Sequence, residues 1–215
     1  MTENNILSDN LDEVSDTNVY GMFMTPVGVY HNRKHQQQKQ QLLDFIATLS
    51  PDDVKESSRK NINSGVMQLG GTDILNDERL IDIKLEVINA VKSINEQSLC
   101  YDLGEEINIT DSIIELHNEG AIYAPHENSN CLYSGTYFVN FNINEHSPLK
   151  FKRSINSPHY PILQVKCNKL TPFNMLDGPV PITEGDITLY PSNLSRGYEE
   201  SLKGNKILIT FNVAL

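Results

Sequence analysis

The chain has 215 residues, with 17 basic and 28 acidic side chains and a net charge of −11. Its length suits one domain, or one domain with an appendage, and 39% hydrophobic residues supply a core, which excludes global disorder. An acidic surface of this kind repels nucleic acid and anionic membrane, and suits a basic protein partner or an assembly.

Residues 1–18 read as a polar, acidic arm, and residues 19–215 as the domain. The arm has no apolar run of signal-peptide length, and no stretch approaches the roughly 20 apolar residues of a membrane span. Three cysteines, Cys100, Cys131 and Cys167, are an odd number without CxxC spacing, which predicts buried thiols in a reducing compartment, the cytoplasm of the producing cell. Residues 20–30 read as a strand, or a strand pair broken at Pro26. Leu42, Phe45, Ile46 and Leu49 recur at helical spacing and predict an amphipathic helix over 35–49, its glutamine-rich first turn solvated. His31 and His35 are four apart and also read as solvated. Residues 54–73 read as loop, with Asn63-Ser64-Gly65 and Gly70-Gly71 as breakers. Ile81, Leu85, Ile88, Val91 and Ile94 predict a second helix over 77–97, with these side chains as its inner face.

From residue 108 the period changes from helical to alternating. Tyr137, Val139, Phe141 and Ile143 alternate with Thr136, Phe138, Asn140 and Asn142. Ile207, Ile209, Phe211 and Val213 alternate with Lys206, Leu208, Thr210 and Asn212. Short strands with Pro and Gly turns, following two packing helices, predict an α+β protein whose β core, over 108–215, is a jelly roll.

Several motifs punctuate this β region. Pro125-His126-Glu127-Asn128 precedes Ser134-Gly135-Thr136-Tyr137, and Tyr190-Pro191-Ser192 precedes Arg196 and a last strand led by Lys206. With the Phe23–Pro26 opening, Gly120 and Phe151, their order and spacing resemble the 2-oxoglutarate/Fe(II) oxygenases of tailed phages and marine bacteria, over about residues 20–215. The resemblance implies a double-stranded β-helix. It also implies iron held by two histidines and a carboxylate, and a basic residue for the far carboxylate of 2-oxoglutarate.

Mapped onto this chain, the implied metal positions are His126, Asn128 and Arg196, and the cosubstrate position is Lys206, with Tyr123 and Tyr137 as further cosubstrate contacts. Asn128 is a poor neutral ligand, and a guanidinium has no lone pair to donate. None of the six histidines follows His159, so a shifted alignment supplies no replacement. Lys206 binds a carboxylate only as a point charge, and Leu208 stands where the family often has serine. Each position also has a plainer reading. His126 reads as a loop histidine, Asn128 as a turn residue, and His117 as a polar strand-end residue, with an unorthodox site shared with His126 as its sharper alternative. Arg196 reads as pairing with Glu127, Glu199 or Glu200, or as exposed; binding of an anion is the sharper alternative. Lys206 reads as a strand-edge charge.

These departures predict a degenerate, non-catalytic relative with no cofactor, serving as a binding or structural component of a phage-encoded assembly in the virion, neck or tail. The alternative is an active hydroxylase with a noncanonical metal site, using Fe(II) and 2-oxoglutarate. A third reading keeps Arg196 and Lys206 as a sensor for an anionic metabolite.

Overall fold

The computed structural model describes residues 24–49, 55–56, 64–154, 166–171 and 173–214. The expected arm over 1–18, the opening at Phe23 and the histidine His159 lie outside these residues.

Ten strands and two α-helices are described: β1 (Gly28–His31), α1 (His35–Thr48), β2 (Lys55–Glu56), β3 (Ser64–Leu69), α2 (Ile81–Gln97), β4 (Asn108–His126), β5 (Tyr133–Asn140), β6 (Leu149–Lys152), β7 (Asp177–Pro179), β8 (Asp186–Pro191), β9 (Ser195–Tyr198) and β10 (Lys206–Ala214). All neighbouring strands pair antiparallel, in the order β1-β8-β5-β10-β4-β9-β6-β7, and β3 joins β2 to the free side of β4. The long strand β4 belongs to two sheets. Its first half pairs with β10, and its last residues pair with β9. Gly120 lies between the halves at φ +72, backbone that an L side chain resists. The curled sheet with two helices is an α+β fold of double-stranded β-helix type.

Alternation along the strands sends side chains to two cores. Tyr137, Ile187, Ile209 and Phe211 face the helices, where they meet Leu42, Phe45, Ile83, Val87 and Val91. The opposite side chains, among them Phe138, Tyr190, Tyr198 and Leu208, fill the space between the sheets with Leu149 and Phe151. Gly135 is forced by this packing: a Cβ there would lie 2.1 Å from the ring of Phe211.

Several local expectations change. The segment read as loop over 54–73 contains β2 and β3; β3 pairs with β2 and with β4, and this pairing outweighs the glycine signal. Helix α2 begins at Ile81, after a 3₁₀ turn at Glu78–Leu80 that Asp77 caps through its bond from the Arg79 N–H. Its inner face is Ile83, Val87, Ala90, Val91 and Ile94, while Ile81 and Leu85 are half exposed. The expected stripe advanced by fewer than about 3.6 residues per turn, so it drifts around the helix. Strand β5 stops at Asn140, which leaves Ile143 exposed and turns Phe141 into the inter-sheet core. The cysteines are not buried: Cys100 and Cys167 are exposed and Cys131 is half-buried. Of the glutamine-rich first turn of α1, Gln38 is buried. No helix of the described residues is long and apolar enough to cross a membrane.

Candidate functional site

The motif residues converge at one end of the inter-sheet space. His126 ends β4 and lies directly opposite Arg196 of β9 in the strand register. Asn128 follows in the loop, where its N–H donates to the Ser192 carbonyl and its side-chain amide donates to Ser134 Oγ and Asn212 Oδ1, at 2.9 and 2.8 Å. Asn128 therefore ties the loop to β5 and β10. His126, Asn128, Arg196 and Tyr123 line one cavity of about 120 Å³.

Arg196 is 5% exposed. Its Nε donates to the Tyr190 hydroxyl at 2.5 Å and its Nη1 to the His126 carbonyl at 3.3 Å. Burial opposes the guanidinium charge, but the oxygens of Tyr190, Tyr123 and Tyr198 outweigh burial and hold its pKa above the ordinary value. The expected partners Glu127, Glu199 and Glu200 are exposed and form no ion pair with it, since the β-strand alternation points residue 196 inward.

Lys206 is not an edge charge. It opens β10 opposite His117, is wholly buried, donates to the Ser147 carbonyl at 3.0 Å, and has its ammonium 3.4 Å from the centroid of the Tyr198 ring. Burial pushes its pKa well below the ordinary value, opposed only by the charge of Glu115. Leu208 is buried beside it in the inter-sheet core.

Tyr137 does not belong to this site. It faces the helices, where its hydroxyl meets His35 Nδ1 at 2.7 Å and accepts from Asn32 Nδ2 at 3.2 Å. His35 is correspondingly buried rather than solvated, while the exposed His31 contacts Asp186 at 2.6 Å. His117 is also buried, in mid-strand.

Sequence reasoning missed Glu115. With His117 it sits two positions apart on β4, so both point between the sheets. Their side chains meet at 3.2 Å. Burial lowers the His117 pKa, and although burial works against the Glu115 carboxylate, the His117 hydrogen bond and the charges around it hold its pKa low. The pair is therefore a carboxylate accepting from neutral imidazole Nε2–H. This leaves His117 Nδ1, like the Tyr198 hydroxyl, buried without a hydrogen-bond partner among the described residues. Two polar residues at i, i+2 within an apolar strand were the signal for this pair.

No family profile and no curated protein matches the sequence. Solved structures do match. A prolyl-4-hydroxylase of Pseudomonas putida superposes with a TM-score of 0.60 at 12% identity, over 89% of this chain and 94% of the other. HygX of Streptomyces hygroscopicus, solved with nickel and 2-oxoglutarate bound, gives 0.59 at 8% identity over 88% and 83%. A viral collagen prolyl hydroxylase from Paramecium bursaria Chlorella virus-1, in its 2-oxoglutarate complex, gives 0.53 at 9% identity over 88% and 96%.

These neighbours correct the expectation of no cofactor: the fold is one in which a divalent metal and 2-oxoglutarate are held, so Fe(II) and 2-oxoglutarate are the groups it implies. The residues at the implied metal positions fit that iron poorly. Arg196 offers only N–H donors, Asn128 offers only an uncharged amide oxygen, and no group of three His, Cys, Asp or Glu among the described residues is arranged for a metal. At the cosubstrate position, the Tyr198 ring covers the Lys206 ammonium. The chain has the double-stranded β-helix fold of the 2-oxoglutarate/Fe(II) oxygenases, with Arg196 of β9 opposite His126 of β4.

Proposed function

We propose that this chain is a catalytically degenerate relative of the oxygenases that acts by binding, as a component of a multi-chain assembly. One observation carries the reading: the buried guanidinium of Arg196 opposite His126. A second imidazole there would bring a lone pair to a divalent ion; the guanidinium brings a fixed positive charge that repels it. No oxidative step is derived through these residues. The net charge of −11 supports a protein partner over nucleic acid or membrane. The resemblance to phage-encoded relatives favours a virion, neck or tail assembly, made in the cytoplasm of the infected cell.

The test supplies the implied groups. With Fe(II), ascorbate and 2-oxoglutarate present, succinate release by the wild type equals that of His126→Ala. Iron-dependent succinate release that disappears in His126→Ala would instead establish a hydroxylase with a noncanonical metal site. For the assembly, mass spectrometry of purified particles detects the chain at a fixed stoichiometry; its absence contradicts the virion assignment.

A further inference from the structure

The cavity at the mouth of the inter-sheet space holds two buried charges of opposite sign. Arg196 and Glu115 are 5% and 2% exposed, and both line it, together with Gln68, Asp111, His126 and Asn128. The two charges do not form an ion pair. Glu115 contacts His117, and Arg196 binds neutral oxygens of Tyr190 and His126. The guanidinium has five N–H donors, and its bonds to described residues come from Nε and Nη1. On the acidic wall, one oxygen of Asp111, at the exposed rim, accepts from Asn212 Nδ2 at 3.2 Å.

We propose that this cavity binds a small zwitterion, an α-amino acid, with its carboxylate on Arg196 and its ammonium on Glu115 and Asp111. A bare anion would gain the guanidinium and be repelled by two carboxylates. A bare cation would gain the carboxylates and be repelled by the guanidinium. A molecule carrying both charges satisfies both walls and restores bonds to groups already desolvated by the fold, where an opposite charge counts most. A volume of about 120 Å³ limits the enclosed part to the size of glycine or alanine. Asn128 and Arg196, unsuited to iron, are suited to this ligand as neutral and cationic hydrogen-bonding groups.

This inference rests on the binding reading above and is tested separately. The full chain is titrated, by heteronuclear NMR, with glycine and alanine, and with acetate and methylammonium as the two half-ligands. The amino acids saturate the shifts of the Arg196 Nε–H at least about tenfold more tightly than either half-ligand. Glu115→Gln weakens glycine and improves acetate relative to glycine, because one repelling carboxylate is gone. Where that buried variant does not fold, Asp111→Asn at the rim gives the same ordering. Acetate matching glycine, or no saturable response to glycine, overturns the proposal. Neither result touches the binding reading itself, which iron-dependent succinate release would sink.

Discussion

Arg196, Asn128 and Lys206 each differ from what an iron and 2-oxoglutarate site needs: a guanidinium without a lone pair, an amide without a charge, and an ammonium without a bidentate fork. What each does instead is visible in its bonds. Asn128 ties β4, β5 and β10 together at the mouth of the site, so Asn128→Ala removes the donor to Ser134 Oγ and one of the two donors to Asn212 Oδ1 and lowers stability by about 1–3 kcal/mol, measurable by urea denaturation with an unchanged m-value. Burial also sets a pH dependence. His35, His117 and His146 all have pKa values lowered below the ordinary 6.5, with desolvation as the leading cause. Each then binds its proton more readily in the unfolded chain. Stability from these groups is fully present above the unfolded value and is lost as pH falls through about 6.5 toward the lower folded values. Unfolding free energy should therefore fall between about pH 7 and about pH 5. A flat profile over that window contradicts the neutral assignment.

At the level of elements, the sequence located α1, α2, the β region from Asn108 and the closing strand β10, because periodicity survives wherever one face of an element is buried. It misjudged which face of α2 is buried, since apolar side chains at Ile81 and Leu85 mimic a stripe that geometry carries away from the core. Ile83→Ala should cost about 2–5 kcal/mol, whereas Leu85→Ala should stay within about 0.5 kcal/mol; equal losses would restore the sequence-based face. The alternation of β10 was read correctly, but which of its two faces meets the helices is a tertiary fact. Lys206 was taken as an edge charge for that reason: nothing local reveals that β10 is flanked by β5 and β4. The close approach at Gly135 was equally silent. Gly135→Ala meets the Phe211 ring and should destabilise by about 1–3 kcal/mol, with Phe211→Leu in the same chain recovering part of the loss.

For the whole molecule, the motif resemblance anticipated that His126, Asn128 and Arg196 share one cavity, although the strands that carry the motifs lie in a different order in space than along the chain. Glu115 and the pairing of Arg196 with Tyr190 were not anticipated: the first depends on which face of β4 turns between the sheets, and the second on how the chain crosses from β8 to β9. A shared fold does not carry its chemistry with it: the two-sheet scaffold is that of the oxygenases, and Arg196 and Glu115 place buried charges inside it. The most direct measurement compares divalent-metal affinity of the wild type with that of Arg196→His combined with Asn128→Asp, folding of both being checked by circular dichroism. If residue 196 stands where the fold places a metal ligand, Co(II) titration finds the double variant at least about tenfold tighter than the wild type, with a ligand-field absorption band that depends on His126. Equal affinity and equal spectra in the two proteins would contradict that position for Arg196, and the binding account with it.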